Sequence, residues 1–243
     1  MVCPLKGPCL NRSNRFATIA HVNFENLLQT ILIYALPVLF AITVHEAAHG
    51  YAARYFGDHT AAMLGRITLN PFKHIDPIGT ILMPLLLYFS TSGAFLFGYA
   101  KPIPVNFGNL RAPKHDMIWV ALAGPASNFI QAILWALWLI VLTVAEIQEH
   151  FFLEMAKAGV LVNLVMWAFN LFPLPPLDGG RILLGLLPHR MAVGLSRVEP
   201  YGFFIVLALV LMGGIGTYWL RPLIEWGYGT ISWLLSPVLA VLN

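Results

Sequence analysis

The chain has 243 residues, of which 58% are hydrophobic and only 10% charged, with a mean hydropathy of +0.75 and a formal net charge of +3. A soluble domain carries about a quarter charged residues, so this chain cannot cover a globular surface with polar groups and lipid must be its solvent over most of its length. No basic run with interleaved aromatics appears, which speaks against a nucleic-acid partner; the small positive excess suits the cytosolic loops of a membrane protein.

Residues 1–23 read as a polar tail. It lacks the apolar core of a cleavable signal peptide, so the first span must itself direct insertion. Cys3 and Cys9 lie in this tail and read as two free thiols rather than a metal site. A first helix starts near Asn23 or Asn26, runs past His49 to about Phe56, is kinked by Pro37, and ends at Gly57-Asp58. Residues 62–69 have the pattern of a short strand, ended by Asn70-Pro71. Residues 78–98 are apolar but interrupted by Pro84, Ser90, Thr91, Ser92 and Gly93; residues 101–107 are extended, because Pro102 and Pro104 each forbid helix for themselves and their predecessors.

A long helix follows over about 116–145, then an acidic connection (Glu146, Glu149, Glu154) and a span over 158–172. Pro173, Pro175 and Pro176 break the backbone just before Asp178-Gly179-Gly180. A basic loop with Arg181, Arg190 and Arg197 leads to two closing spans, near 201–219 and 222–242, joined around Arg221-Pro222. The expected fold is an all-α polytopic membrane protein of about five to six transmembrane helices, with a small β-hairpin or re-entrant segment at about 60–110, after the first helix. Its divisions are the tail (1–23), a membrane core (24–200) and two C-terminal helices (201–243).

The chemistry concentrates at His45-Glu46-Ala47-Ala48-His49, the end of an apolar stretch that begins at residue 27. H-E-x-x-H on a helix places two imidazoles one turn apart on one face, where both can bind one zinc ion. The glutamate between them is placed to take a proton from a water at the metal. Ionisable side chains in lipid are expensive, so the cluster needs a functional reason. A catalytic zinc requires three protein ligands and an open position. Asp178 is the one carboxylate at the end of an apolar span with a broken backbone around it; His74, His115, Asp76 and Asp116 are the other candidates, each beside prolines or lysines.

The helix-borne H-E-x-x-H, the later N-x-x-P-x-x-x-L-D-G (Asn170 to Gly179) and the intervening A-G-P-x-x-N (Ala123 to Asn128) resemble the site-2 protease family of intramembrane zinc metalloproteases. The likeness covers roughly residues 24–200 and is closest to compact prokaryotic members without PDZ or CBS domains. It implies Zn2+ held by His45, His49 and Asp178, Glu46 as general base, and Asn170 near the reaction centre, stabilising an oxyanion. The substrate implied is a transmembrane protein or peptide in the lipid bilayer of a prokaryotic plasma membrane, cleaved near the cytosolic side. The family's best-described members place a span before the H-E-x-x-H helix, whereas the tail here is too polar to be one. An unwound substrate could add as a strand to residues 62–69 or 101–107. Rival readings are a zinc hydrolase for another lipid-anchored peptide and a non-proteolytic transporter or binding protein; no pair of related halves supports a transporter.

One topological expectation follows from ligand geometry. His45 and His49 lie towards the C-terminal end of their span and Asp178 lies beyond the C-terminal end of its own, so both spans must run in the same direction. Counting lysines and arginines leaves a tie. The ligand geometry then favours five spans, a re-entrant segment at 78–98 and an external N-terminus.

Overall fold

The computed structural model describes residues 24–83, 86, 98 and 100–242. The expectations about the tail, Cys3 and Cys9, and most of the break at Pro84 and Ser90 to Gly93 lie outside the described residues. The eight α-helices named here are α1 (Phe24–Tyr55), α2 (Thr60–Met63), α3 (Pro113–Val144), α4 (His150–Asn170), α5 (Asp178–Leu186), α6 (His189–Ser196), α7 (Glu199–Leu211) and α8 (Arg221–Leu242).

α1 is continuous through Pro37. It stops where Gly57 takes a φ of +113°, a conformation that L side chains rarely adopt. α3 is the central element: it packs against α1, α4 and α5, and α1 also packs against α4. Small residues allow these close approaches, as apolar helices in lipid require. Gly159 on α4 lies flat against the indole of Trp135 on α3. Ala132, Val160, Leu164, Trp167, Ala168, Ile231 and Leu235 form a core that joins α3, α4 and α8. Leu32, Phe40, Trp119, Ile130 and Leu134 point outward as exposed apolar groups on α1 and α3, the arrangement a lipid solvent favours.

Among the described residues three helices are long and apolar enough to cross a membrane: Leu28–Tyr55, Pro113–Val144 and His150–Asn170, the last 21 residues long. A fourth becomes possible if α6 and α7, bent by 67° at their junction, act as one broken span. α7 alone has 13 residues, or about 20 Å, against a hydrocarbon core of about 30 Å.

Three expectations are corrected. The strand at 62–69 is absent: Thr60–Met63 is a helical turn, started by Asp58, whose carboxylate accepts from the Thr60 backbone N–H and hydroxyl. Gly65 (φ +60°) then turns the chain, and the residues to Leu69 pair with no strand among the described residues. The fold is thus all-helical among the described residues, with no β-hairpin. The third span begins at His150 rather than 158, because Glu154 belongs to the helix, where its carboxylate meets Lys157 at 2.8 Å. The final two elements do not join at Arg221-Pro222. A π-helical turn over Gly216–Leu220 runs directly into α8 at Arg221, so Pro222 lies within a continuous helical stretch, and the turn of chain falls at Gly213 (φ +75°) instead.

Candidate metal centre

The sequence H-E-x-x-H delivers what its spacing implies. His45 and His49 project from one face of α1 with ring centroids 4.6 Å apart and planes at 88°. Their Nε2 atoms lie 3.1 Å from each other, and each lies 3.3 Å from Asp178 Oδ2. Asp178 arrives from a different element. α4 ends at Asn170, the proline-bearing loop reverses the chain, and α5 starts at Asp178 itself. The turn is tight because Gly179 and Gly180 have no side chains: a Cβ on either would strike the backbone of Leu171, Leu174 or Pro175.

The tautomers of both histidines follow from their neighbours. His49 Nδ1 is 2.7 Å from the Val120 carbonyl oxygen, which only accepts, so this nitrogen carries the proton. His45 Nδ1 is 2.6 Å from Asn128 Oδ1, and Asn128 turns its Nδ2 to the Ala41 carbonyl, so its oxygen faces the imidazole. In the neutral ring this leaves the lone pair of each Nε2 aimed at the same point. The third atom there, Asp178 Oδ2, is buried and receives no hydrogen bond. Three lone pairs converge with no proton among them, and a cation is what satisfies such a vertex. Ligand atoms at ~2.0–2.1 Å from a tetrahedral zinc lie about 3.3 Å apart, which matches the separations found. Gly124 on α3 leaves the room: a Cβ there would fall on His49 Nε2 and 2.6 Å from His45 Cε1.

Among the described residues this is the one group of three or more His, Cys, Asp or Glu able to share an ion. The other candidate ligands have structural duties. His74 is buried and donates from Nε2 to the Thr68 carbonyl oxygen, 2.9 Å away. Asp76 accepts from the N–H groups of Ile78 and Gly79, Asp116 from that of Ala112, and His115 is mostly exposed beside Asp116. Glu46 is partly buried and its Oε2 accepts from the backbone N–H of Ile103 at 2.7 Å. Asn170 is not drawn into the cluster; its amide donates to the Met166 carbonyl at 3.0 Å within α4. A cleft of about 490 Å³ between α1, α4 and α8, lined by Gln29, Tyr34, His150 and Tyr228, lies near the opposite end of α1 and shares no residue with the centre.

Sequence reading did not assign Asn128 a role, although it ends the A-G-P-x-x-N motif; the signal was an amide inside an apolar helix. It also missed the contact between Glu46 and Ile103, which no local pattern announces.

The model of Peptidase family M50 matches residues 139–213, the stretch that carries Asn170 and Asp178. The candidate zinc metalloprotease YwhC of Bacillus subtilis (strain 168) is 39% identical over 212 residues, which is 84% of this chain and 90% of that protein. The chain belongs to peptidase family M50. A match of that extent necessarily takes in both the His45–His49 turn and Asp178. The candidate zinc metalloprotease Rip2 of Mycolicibacterium smegmatis is 30% identical over 82% of this chain and 74% of its own length, and Rip2 of Mycobacterium tuberculosis (strain H37Rv) 27% over 82% and 71%. No solved structure matches. This M50 peptidase is therefore an integral membrane protein and a zinc-dependent metalloprotease of the site-2 type, acting on membrane-embedded substrates.

Proposed function

We propose that His45, His49 and Asp178 hold the zinc of this intramembrane protease and that Glu46 is its general base. The observation that carries the assignment is the convergence of two unprotonated Nε2 atoms and an unpartnered, buried Asp178 Oδ2 at one point. Zinc bound there supplies Lewis acidity, making a water acidic enough to attack at neutral pH and polarising the scissile carbonyl. Glu46 keeps one carboxylate oxygen on the Ile103 N–H and uses the other to take the proton of the attacking water and pass it to the leaving amine. Asn170 stabilises the oxyanion once its amide swings from the Met166 carbonyl. The substrate is a transmembrane segment that unwinds before cleavage, since helical peptide bonds are masked by their own hydrogen bonds.

The core at 24–200 and a C-terminal pair at 201–243 form five spans in this reading, with α1, α3 and α4 joined by the two closing helices. Residues 78–98 re-enter, the N-terminus is external, and cleavage occurs at the cytosolic side of a prokaryotic plasma membrane. Support comes from the meeting of the α1 histidines with Asp178, which requires α1 and α4 to run in the same direction with α3 crossing between them.

The test is a pair of variants in purified full-length protein. Glu46→Gln is expected to lose cleavage of a membrane-anchored substrate by at least about a hundredfold while keeping its zinc. Asp178→Ala is expected to lose both. Stoichiometric zinc in Asp178→Ala would remove Asp178 from the ligand set.

A further inference from the structure

His45 is backed by more than one asparagine. Asn128, on α3, and Asn163, on α4, are both fully buried between helices whose cores are mostly apolar. Their amides are 3.0 Å apart, with Asn128 Nδ2 donating to Asn163 Oδ1. Asn163 Nδ2 donates to the Gly159 carbonyl at 2.9 Å, and Asn128 Nδ2 also donates to the Ala41 carbonyl at 3.1 Å. Carbonyls only accept, so each end of the chain is polarised one way. Gly159 fixes the orientation of Asn163, Asn163 and Ala41 together fix that of Asn128, and Asn128 Oδ1 then accepts from His45 Nδ1.

We propose that Asn128 and Asn163 are positioning residues of the metal centre: a two-amide relay across three helices that locks His45 in the tautomer whose Nε2 is free to bind zinc. His49 needs no such device, because a main-chain carbonyl, that of Val120, cannot flip. A side-chain amide can. Without Asn163, the Ala41 carbonyl alone holds the Asn128 amide, and rotation that offers its NH2 to His45 Nδ1 becomes easier, which would drive the proton to Nε2 and block the ligand. Partners behind a metal-bound histidine typically set metal affinity by about 10–100-fold. The competing account is a plain interhelical clamp, since asparagines join helices in lipid with contributions near ~0.6 kcal/mol. A clamp would alter melting but not the zinc affinity of the folded protein.

The proposal rests on His45 being a ligand, and the experiment separates the two. Full-length protein in detergent is titrated with zinc against a chelator, and with Co2+ to follow the visible absorption band of the bound ion. Asn128→Leu, which keeps the volume and removes the acceptor, is expected to weaken zinc about 10–100-fold and shift the cobalt band. Asn128→Asp, which keeps an acceptor for Nδ1–H, is expected to bind within a few-fold of the unaltered protein. Asn163→Leu is expected to weaken zinc about tenfold with Asn128 intact, the low end of that range because the Ala41 carbonyl still holds Asn128. Unchanged affinity in folded Asn128→Leu, or an equal fall in Asn128→Leu and Asn128→Asp, would overturn the relay. If Asn128→Leu does not fold, Asn163→Leu decides, and unchanged zinc affinity there overturns it. His45→Ala in the same titration isolates the premise: zinc retained by that variant would refute the ligand assignment, whereas zinc lost there but kept in the asparagine variants would refute the relay alone.

Discussion

A single methyl group should separate the fold from the metal. Gly124→Ala places a Cβ on α3 where His49 Nε2 now lies and 2.6 Å from His45 Cε1. Ordinary carbon contacts are about 3.5–4.0 Å, so one or both imidazoles must retreat by roughly 1 Å. For the helix itself the change is favourable by about 1 kcal/mol, because alanine is the better helix former. Overpacking costs about 1–3 kcal/mol, so the net change in stability is at most about 2 kcal/mol, and the protein stays folded. The metal site does not tolerate the shift, since ligand distances must hold to about 0.2 Å. Misplacement of this size is expected to lower turnover about a hundredfold and to weaken zinc by at least about tenfold. The measurements are chelator competition, cleavage of a membrane-anchored substrate, and thermal unfolding. Gly194→Ala on α6, where nothing lies within 4 Å of the new Cβ, controls for the helix gain. Gly124→Ala with undiminished zinc affinity and turnover would refute the placement of the ion against α3.

Asn170→Ala should cut turnover by about 10²–10³-fold with little change in zinc content; full activity with reduced melting would mean that Asn170 only braces α4 through Met166. Asp58 is expected to tie stability to acid pH. Burial opposes its ionisation, but hydrogen bonds from Thr60, Asn106 and Asn109 outweigh this and hold its carboxyl below the ordinary value of 3.8. A lowered carboxyl contributes stability above the unfolded-state value that is lost as pH falls towards the folded-state one, so unfolding midpoints should drop below about pH 4, and less so in Asp58→Asn. Single cysteines at the exposed positions 70 and 108 should react with an impermeant thiol reagent from one side of the membrane only; labelling from opposite faces would exclude the re-entrant arrangement of residues 78–98.

The local half of the site was legible because a helix makes neighbours of residues four apart. His45, Glu46 and His49 needed nothing beyond that spacing. Asp178 could be reached because its prolines and glycines announce a break in the backbone where a carboxylate would be costly without purpose. The remainder depends on which helices face each other. No pattern within α3 or α4 places Asn128 against Asn163, or Val120 against His49, and the contact between Glu46 and Ile103 spans 57 positions. The strand expected at 62–69 failed for a nearby reason. Its first residues have the alternation of a strand, but Asp58 accepts two hydrogen bonds from Thr60 and starts a helical turn, and Gly65 then redirects the chain. Local side-chain hydrogen bonds outweighed a weak periodicity.

The extended piece from Lys101 to Asn106 is tied down by its own backbone at three points. The Lys101 N–H donates to the His74 carbonyl, the Ile103 N–H to Glu46, and the Asn106 N–H to Asp58. Pro102 and Pro104 have no N–H to offer elsewhere, so the register of these anchors is unambiguous. Glu46, the proposed base, is thus held by a main-chain anchor, Ile103, whose own segment is pinned by the His74 carbonyl and the Asp58 carboxylate. A shift of this extended piece by one residue in either direction would set Pro102 or Pro104, neither with an N–H, opposite Glu46, so the register of the chain and the position of the carboxylate are set together.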